Sequence, residues 1–104
     1  MATDEPKTPC RTPAKGRDGV VNIPSWKFEL LACQITSILA NGPENGVAYG
    51  DLRDLVGARL DDDVRAKLGS LGWHVTTVKL ELEVAGVIER IPNVSPQRLR
   101  LVKA

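Results

Sequence analysis

The stretch from Trp73 to Lys103 limits the possible folds most. Apolar residues recur at helical spacing as far as Leu82-Glu83-Val84-Ala85, and Gly86 then interrupts the pattern. Two short strand-like runs follow, Val87–Ile91 and Leu99–Val102, joined across Pro92-Asn93-Val94-Ser95-Pro96. In the second run Leu99 and Leu101 alternate with Arg98, Arg100 and Val102, the period of two expected of a half-buried strand. A helix stopped by glycine and followed at once by a hairpin places the chain in the α+β class.

Upstream, the residues from Ser25 turn helical. Phe28, Leu31, Ile35, Ile38 and Leu39 recur three and four apart, widened by Trp26, Leu30 and Cys33. Ser25 is a candidate N-cap. Asn41-Gly42-Pro43 ends the run, since glycine can adopt a left-handed cap and proline cannot continue a helix. Val47-Ala48-Tyr49 reads as a very short strand. A second helix fits Gly50 to about Leu60, with Leu52, Leu55, Val56 and Leu60 on one face and Asp51 and Asp54 near its N-terminal end. Asp61-Asp62-Asp63 caps a short helix through about Leu68, and Gly69-Ser70-Leu71-Gly72 separates it from the helix of Trp73 to Ala85.

The 104 residues, 42% of them hydrophobic, suit one small domain. Residues 1–18 carry Pro6, Pro9 and Pro13 and almost nothing to bury, so a disordered tail is expected there and a folded domain over 19–104. Val20-Val21 and Ile23 fit a short edge strand ended by Pro24. Cys10 and Cys33 form no metal-binding pattern, and no secretory signal or long apolar run is present, so the expectation is a cytoplasmic protein without a membrane partner.

Formal net charge is +1, which gives no whole-molecule signature of a polyanion partner. The distribution is uneven. From Pro24 to Gly72 seven acidic residues face five basic ones, whereas from Trp73 onward Lys79, Arg90, Arg98, Arg100 and Lys103 outnumber Glu81, Glu83 and Glu89.

At about 100° per residue, Val75, Val78, Leu82 and Ala85 of the last helix share one arc, the natural core face. Trp73, Leu80 and Val84 form a second apolar stripe almost opposite. Thr76, Lys79 and Glu83 lie on one flank between the stripes, and His74, Thr77 and Glu81 on the other. Such a helix wants cover on both sides. The first expectation is cover from within, by the N-terminal strand or first helix through Trp26. The second is a dimer or partner surface.

The Leu82-Glu83-x-x-Gly86-Val87-Ile88 run resembles the end of the recognition helix in winged helix-turn-helix regulators. The longer run Gly72-Trp73-His74-Val75-Thr76-Thr77-Val78-Lys79-Leu80-Glu81-Leu82-Glu83, with Ser95-Pro96-Gln97-Arg98-Leu99-Arg100, is similar to a family of small bacterial proteins of unknown function with a winged-helix-like build. That resemblance covers about residues 20–101. The family often has an aromatic residue at the position of His74 and a basic one at that of Thr76, and this chain departs from it at both. It implies a three-helix core with a C-terminal hairpin wing and carries no activity.

The broader resemblance to winged helix-turn-helix regulators implies a nucleic-acid-binding domain and possible transcriptional regulator. Arg90, Arg98, Arg100 and Lys103 of the wing would grip duplex DNA phosphates, and Thr76, Thr77 and Lys79 would face the groove. Leu80 and Glu81 are poor groove residues. The alternative is a protein-interaction or dimerisation module using Trp73, Leu80 and Val84. The lone His74 has no nucleophile or orienting partner in sequence, and the Asp61–Asp63 run lacks calcium-loop spacing. No catalytic residue, metal site or cofactor is therefore expected, nor an enzyme. Lys7, Arg11, Lys15 and Arg17 along the tail are candidates for phosphate contacts or simple solvation.

Overall fold

Two strands precede the first helix. In the computed structural model, which describes residues 6–11 and 19–102, β1 (Lys7–Arg11) pairs antiparallel with β2 (Val20–Pro24), Cys10 facing Val21. Strand β1 falls inside the expected disordered tail and corrects it there. The reason is Cys10, whose side chain is fully buried and joins Ile23 in the main core. Ladder bonds to β2, and Ser25 N–H donating to the Pro6 carbonyl at 2.8 Å, satisfy the strand's backbone. The rest of that stretch, residues 1–5 and 12–18 with Lys15 and Arg17, lies outside the described residues.

Helix α1 (Ser25–Ala40) follows without a side-chain cap. The Ser25 hydroxyl, expected at an N-cap, instead shares a 2.8 Å hydrogen bond with Thr8 and ties the helix start to β1. Leu31, Ile35, Ile38 and Leu39 are buried along α1, as the periodicity requires. At the far end Asn41 closes the helix, its side-chain amide donating to the Ser37 carbonyl at 2.9 Å. Gly42 is not left-handed; the next residue of that kind is Gly46.

Strand β3 (Val47–Ala48), helix α2 (Tyr49–Gly57), helix α3 (Asp62–Leu68) and helix α4 (Leu71–Val84) come next, followed by strands β4 (Ile88–Arg90) and β5 (Arg98–Leu101). Helix α2 stops three residues short of Leu60, and its Leu55 is exposed while Leu52 and Val56 are buried. Asp61 stands at the N-cap of α3 without a side-chain bond. Ser70 does cap α4, its hydroxyl accepting from Trp73 N–H at 3.3 Å. Gly86, at φ +79°, ends α4 as expected.

The C-terminal strands form a three-stranded antiparallel sheet in the order β3-β5-β4. Its central strand places the fully buried Leu99 opposite both Val47 and Arg90. The approach of β3 to β5 needs glycine at position 46. Its φ is +81°, and a Cβ there would stand 2.6 Å from the Leu99 carbonyl oxygen.

The core lies where α1, α2, α4 and the sheet meet, built from Leu31, Ile35, Leu52, Val75, Val78 and Leu99. Burying side chains of this size stabilises the fold by roughly 1.5–3 kcal/mol each. The chain is therefore α+β, with α4 packed against α1, α2, α3, β1 and β4. No helix among the described residues is long and apolar enough to cross a membrane.

The docking of β1 has a chemical test. Burial, with a smaller contribution from Glu81, pushes the Cys10 thiol up to about 11, whereas Cys33 is exposed. Ellman's reagent at pH 8 should titrate one of the two thiols rapidly and the other only on denaturation. Equal rates for both would mean that β1 does not stay docked.

Candidate functional site on helix α4

Helix α4 carries most of the residues singled out from the sequence, and each of its four faces meets a different environment. Val75, Val78 and Leu82 point into the core. The flank of His74, Thr77 and Glu81 is buried as well, on the side where β1 crosses the helix. Arg11 holds Glu81 there three times over. Its backbone N–H donates to Oε1 at 2.8 Å, Nε to Oε1 at 2.9 Å and Nη2 to Oε2 at 2.6 Å. The Arg11 hydrogen bonds draw the Glu81 carboxyl below its ordinary range, outweighing the burial that opposes this. His74 Nδ1 donates to the Ser70 carbonyl at 2.6 Å and packs edge-on to Trp73, a structural placement for the lone histidine.

The opposite flank holds a chain of polar contacts. The Tyr49 hydroxyl shares a 2.6 Å hydrogen bond with Thr76. Lys79 is 3% exposed, with its Nζ 4.5 Å from the centre of the Tyr49 ring and 2.9 Å from Glu83 Oε2. The lysine–glutamate contact lacks hydrogen-bond alignment and is ionic in character. The other oxygen of Glu83 accepts from Arg90 Nε at 2.7 Å. Glu83 thus serves two cations at once.

This geometry corrects the expected groove-facing set. Thr77 and Lys79 are buried, Thr77 on the β1 side and Lys79 behind Tyr49, so neither is on the outer surface of α4. Thr76 is half-buried and engaged by Tyr49. The arginines of the hairpin are also occupied. Arg98 does not project; its Nε and Nη2 donate to the Asn45 and Gly46 carbonyls at 2.8 and 2.7 Å, pinning the loop before β3. Arg100 pairs with Glu89 at 2.6 Å on the outer face of the sheet, and Arg90, on the opposite face with Ile88 and Leu99, pairs with Glu83 of α4. Lys103 lies outside the described residues, and Lys7 is exposed on β1.

The stripe of Trp73, Leu80 and Val84 is the face left open. Trp73 is 46% exposed and Val84 42%, while Leu80 is half-buried. Among the described residues, neither the N-terminal strand nor Trp26 covers the stripe. Strand β1 instead takes the adjacent polar flank, and Trp26, itself 38% exposed, lies beside Lys27. A shallow cavity of about 220 Å³ is lined by Leu80, Glu83, Val84 and Arg90 at one end of the stripe. A second, of about 320 Å³, lies between α2 and α4 on the Thr76 flank, lined by Tyr49, Arg53, Gly72 and Thr76 among others. Among the described residues no group of three His, Cys, Asp or Glu side chains is placed to hold a metal ion.

Sequence reasoning missed Tyr49, Arg11 and the double duty of Glu83. The i,i+4 spacing of Lys79 and Glu83 was a usable signal for the last. Nothing in the sequence links Arg11 to Glu81, 70 positions apart.

A model for a family of unknown function (DUF6958) matches residues 7–99, beginning at the first residue of β1. No curated protein and no solved structure matches the chain.

The two polar flanks predict different responses. Glu83→Ala strands Lys79 in the interior and should cost about 3 kcal/mol in chemical denaturation, whereas Lys79→Met, which removes the buried charge itself, should cost much less. Equal losses would remove the ion pair from the stability account. For Glu81 the folded pKa is depressed. Its stabilisation is therefore present above the ordinary glutamate range of about 4.3 and fades as pH falls through the lower folded value, with Arg11 protonated throughout. Arg11→Ala should lower Tm by about 5 °C at pH 7, and the gap from wild type should narrow as pH falls below the ordinary glutamate range. A gap independent of pH would show that Arg11 acts through packing alone.

Proposed function

The chain belongs to this family of unknown function, and from its geometry we propose that the domain is a protein-interaction module of winged-helix build, docking through the outer stripe of α4. The build is supported by helix α1, strand β3 and helices α2 to α4 followed by a hairpin, with the sheet ordered β3-β5-β4. In this reading α4 stands in the place of a recognition helix and β4–β5 in that of the wing.

One observation carries the functional part. The surface that α4 offers to solvent is apolar, Trp73, Leu80 and Val84, while the cations beside it are already committed to partners within the chain. A groove-reading helix needs donors and acceptors aimed outward. An apolar helix face flanked by paired charges fits the core and rim of a protein interface.

Duplex DNA is the second reading, favoured by the exposure of Arg90 and Arg100 on the hairpin. Their ion pairs to Glu83 and Glu89 are solvent-exposed on the arginine side, and such pairs hold only weakly. In this reading phosphates displace the two carboxylates, and Lys103 is a further candidate cation from the sequence.

Two measurements separate the readings. Anisotropy with a labelled duplex should detect no binding at about 50 mM salt if the domain docks protein; binding that falls with a log–log salt slope near about −3 would instead support phosphate contacts by the hairpin. Leu80→Lys should cost no more than about 1 kcal/mol in thermal denaturation, because a docking side chain is dispensable to the monomer. A loss of several kcal/mol would make the stripe part of the core and end the docking reading.

A further inference from the structure

Away from the docking stripe, we propose that the cleft between the N-terminal halves of α2 and α4 is a binding site for a small phosphate monoester. Two missing side chains open the cleft. Gly50 is the second residue of α2 and Gly72 the second of α4, and both line it with Tyr49, Arg53, Val75 and Thr76. A Cβ on Gly50 would meet nothing within 4 Å, and Arg53 lies across Gly72, its Cδ 3.4 Å from where a Cβ would stand. The resulting space of about 320 Å³ is roughly 8 Å across, the span of a phosphate with hydrogen-bond donors at ~2.8 Å on opposite sides.

The lining offers donors and no carboxylate. Arg11, Arg90, Arg98 and Arg100 all donate hydrogen bonds within the chain. Among the described residues Arg53 meets only Asp54, 3.5 Å from its Nε, an exposed pair that holds weakly. Its guanidinium fork is therefore available to two oxygens of one phosphate. A hydroxyl serves the third. Tyr49 and Thr76 share a single 2.6 Å hydrogen bond, which uses one of their two protons. Whichever hydroxyl accepts keeps its own proton to donate. Helix α2 has no side-chain cap, so the Gly50 amide in the cleft wall is a further donor. At ~100° per residue, Asp51 stands about 160° around α2 from Arg53 and Asp54 about 100°, and neither belongs to the lining.

This donor set selects among oxyanions. A carboxylate has two oxygens, and the fork alone satisfies it. A phosphodiester, such as a nucleic-acid backbone unit, has two unesterified oxygens and one charge. A monoester presents three oxygens and carries about −1.5 to −2 charge at pH 7. Only the monoester engages the fork and the hydroxyl together while its ester oxygen points out of the cleft.

The test is a titration of the isotope-labelled full chain with glycerol phosphate at constant ionic strength, followed by NMR through the Gly50 and Gly72 amides and the Arg53 Nε–H. All three signals should shift saturably, with a dissociation constant of about 1 mM for a site built on one exposed guanidinium. Arg53→Gln should weaken binding at least about tenfold. Gly50→Asp has room for its side chain and sets a carboxylate in the cleft. It should abolish binding and leave the rest of the spectrum native. Dimethyl phosphate and acetate should each bind at least about fivefold more weakly than glycerol phosphate. Shifts that stay linear with concentration, or saturation that survives both substitutions, would overturn the site. Dimethyl phosphate or acetate binding as tightly as the monoester would overturn the assigned ligand. None of these outcomes touches the docking reading, which the Leu80→Lys and duplex measurements decide.

Discussion

A helix buried on three sides must find partners for its polar flanks, and that requirement organises this molecule. Val75, Val78 and Leu82 supply the apolar drive to bury α4. They do not specify what lies on either side. The flanks do, because an unpaired charge in the interior costs several kcal/mol. Glu81 obliges a cation to come from β1, and Lys79 obliges a carboxylate and an aromatic face to close around it. The N-terminal strand pair and the C-terminal hairpin are thereby both tied to one helix, through Arg11 on one flank and Arg90 on the other.

The same pairings shape the surface. A residue that neutralises a buried charge is less free to recruit an external one, and the arginines that look like a basic patch in sequence are largely spoken for in space. Arg98 is the clearest case. Its position on β5 sets it on one face with Arg100, yet its fork turns to the carbonyls of Asn45 and Gly46 and completes the sheet. What remains outward on α4 is apolar.

Much of this architecture was legible because it is local. The period of α1, the glycine stop at Gly86 and the alternation of Leu99 with its arginine neighbours each depend on residues within a few positions, and each holds. The angular reading of α4 also separated its core face from two polar flanks and a second apolar stripe. The failures share a cause. Strand β1 looks unstructured because its polar and proline residues hide one buried side chain, Cys10, and one long-range tether, Arg11. Thr77 and Lys79 look like surface residues by type. Their burial depends on β1 and Tyr49, which lie far from them in sequence. Composition does not encode which of two unlike faces a distant strand will choose.

Gly46 shows how narrow the tolerance of such a small sheet can be. The loop carrying it is clamped by Arg98 from outside, while a Cβ at this position would meet the Leu99 carbonyl and the Ile91 side chain from within. Any methyl group at that spot collides with main chain, which cannot rotate aside as a long side chain would. Drift among relatives that retain the third strand should therefore leave this position invariant even where the outer residues of α4 diverge freely, giving a steric marker of ancestry independent of whatever the exposed stripe has come to bind.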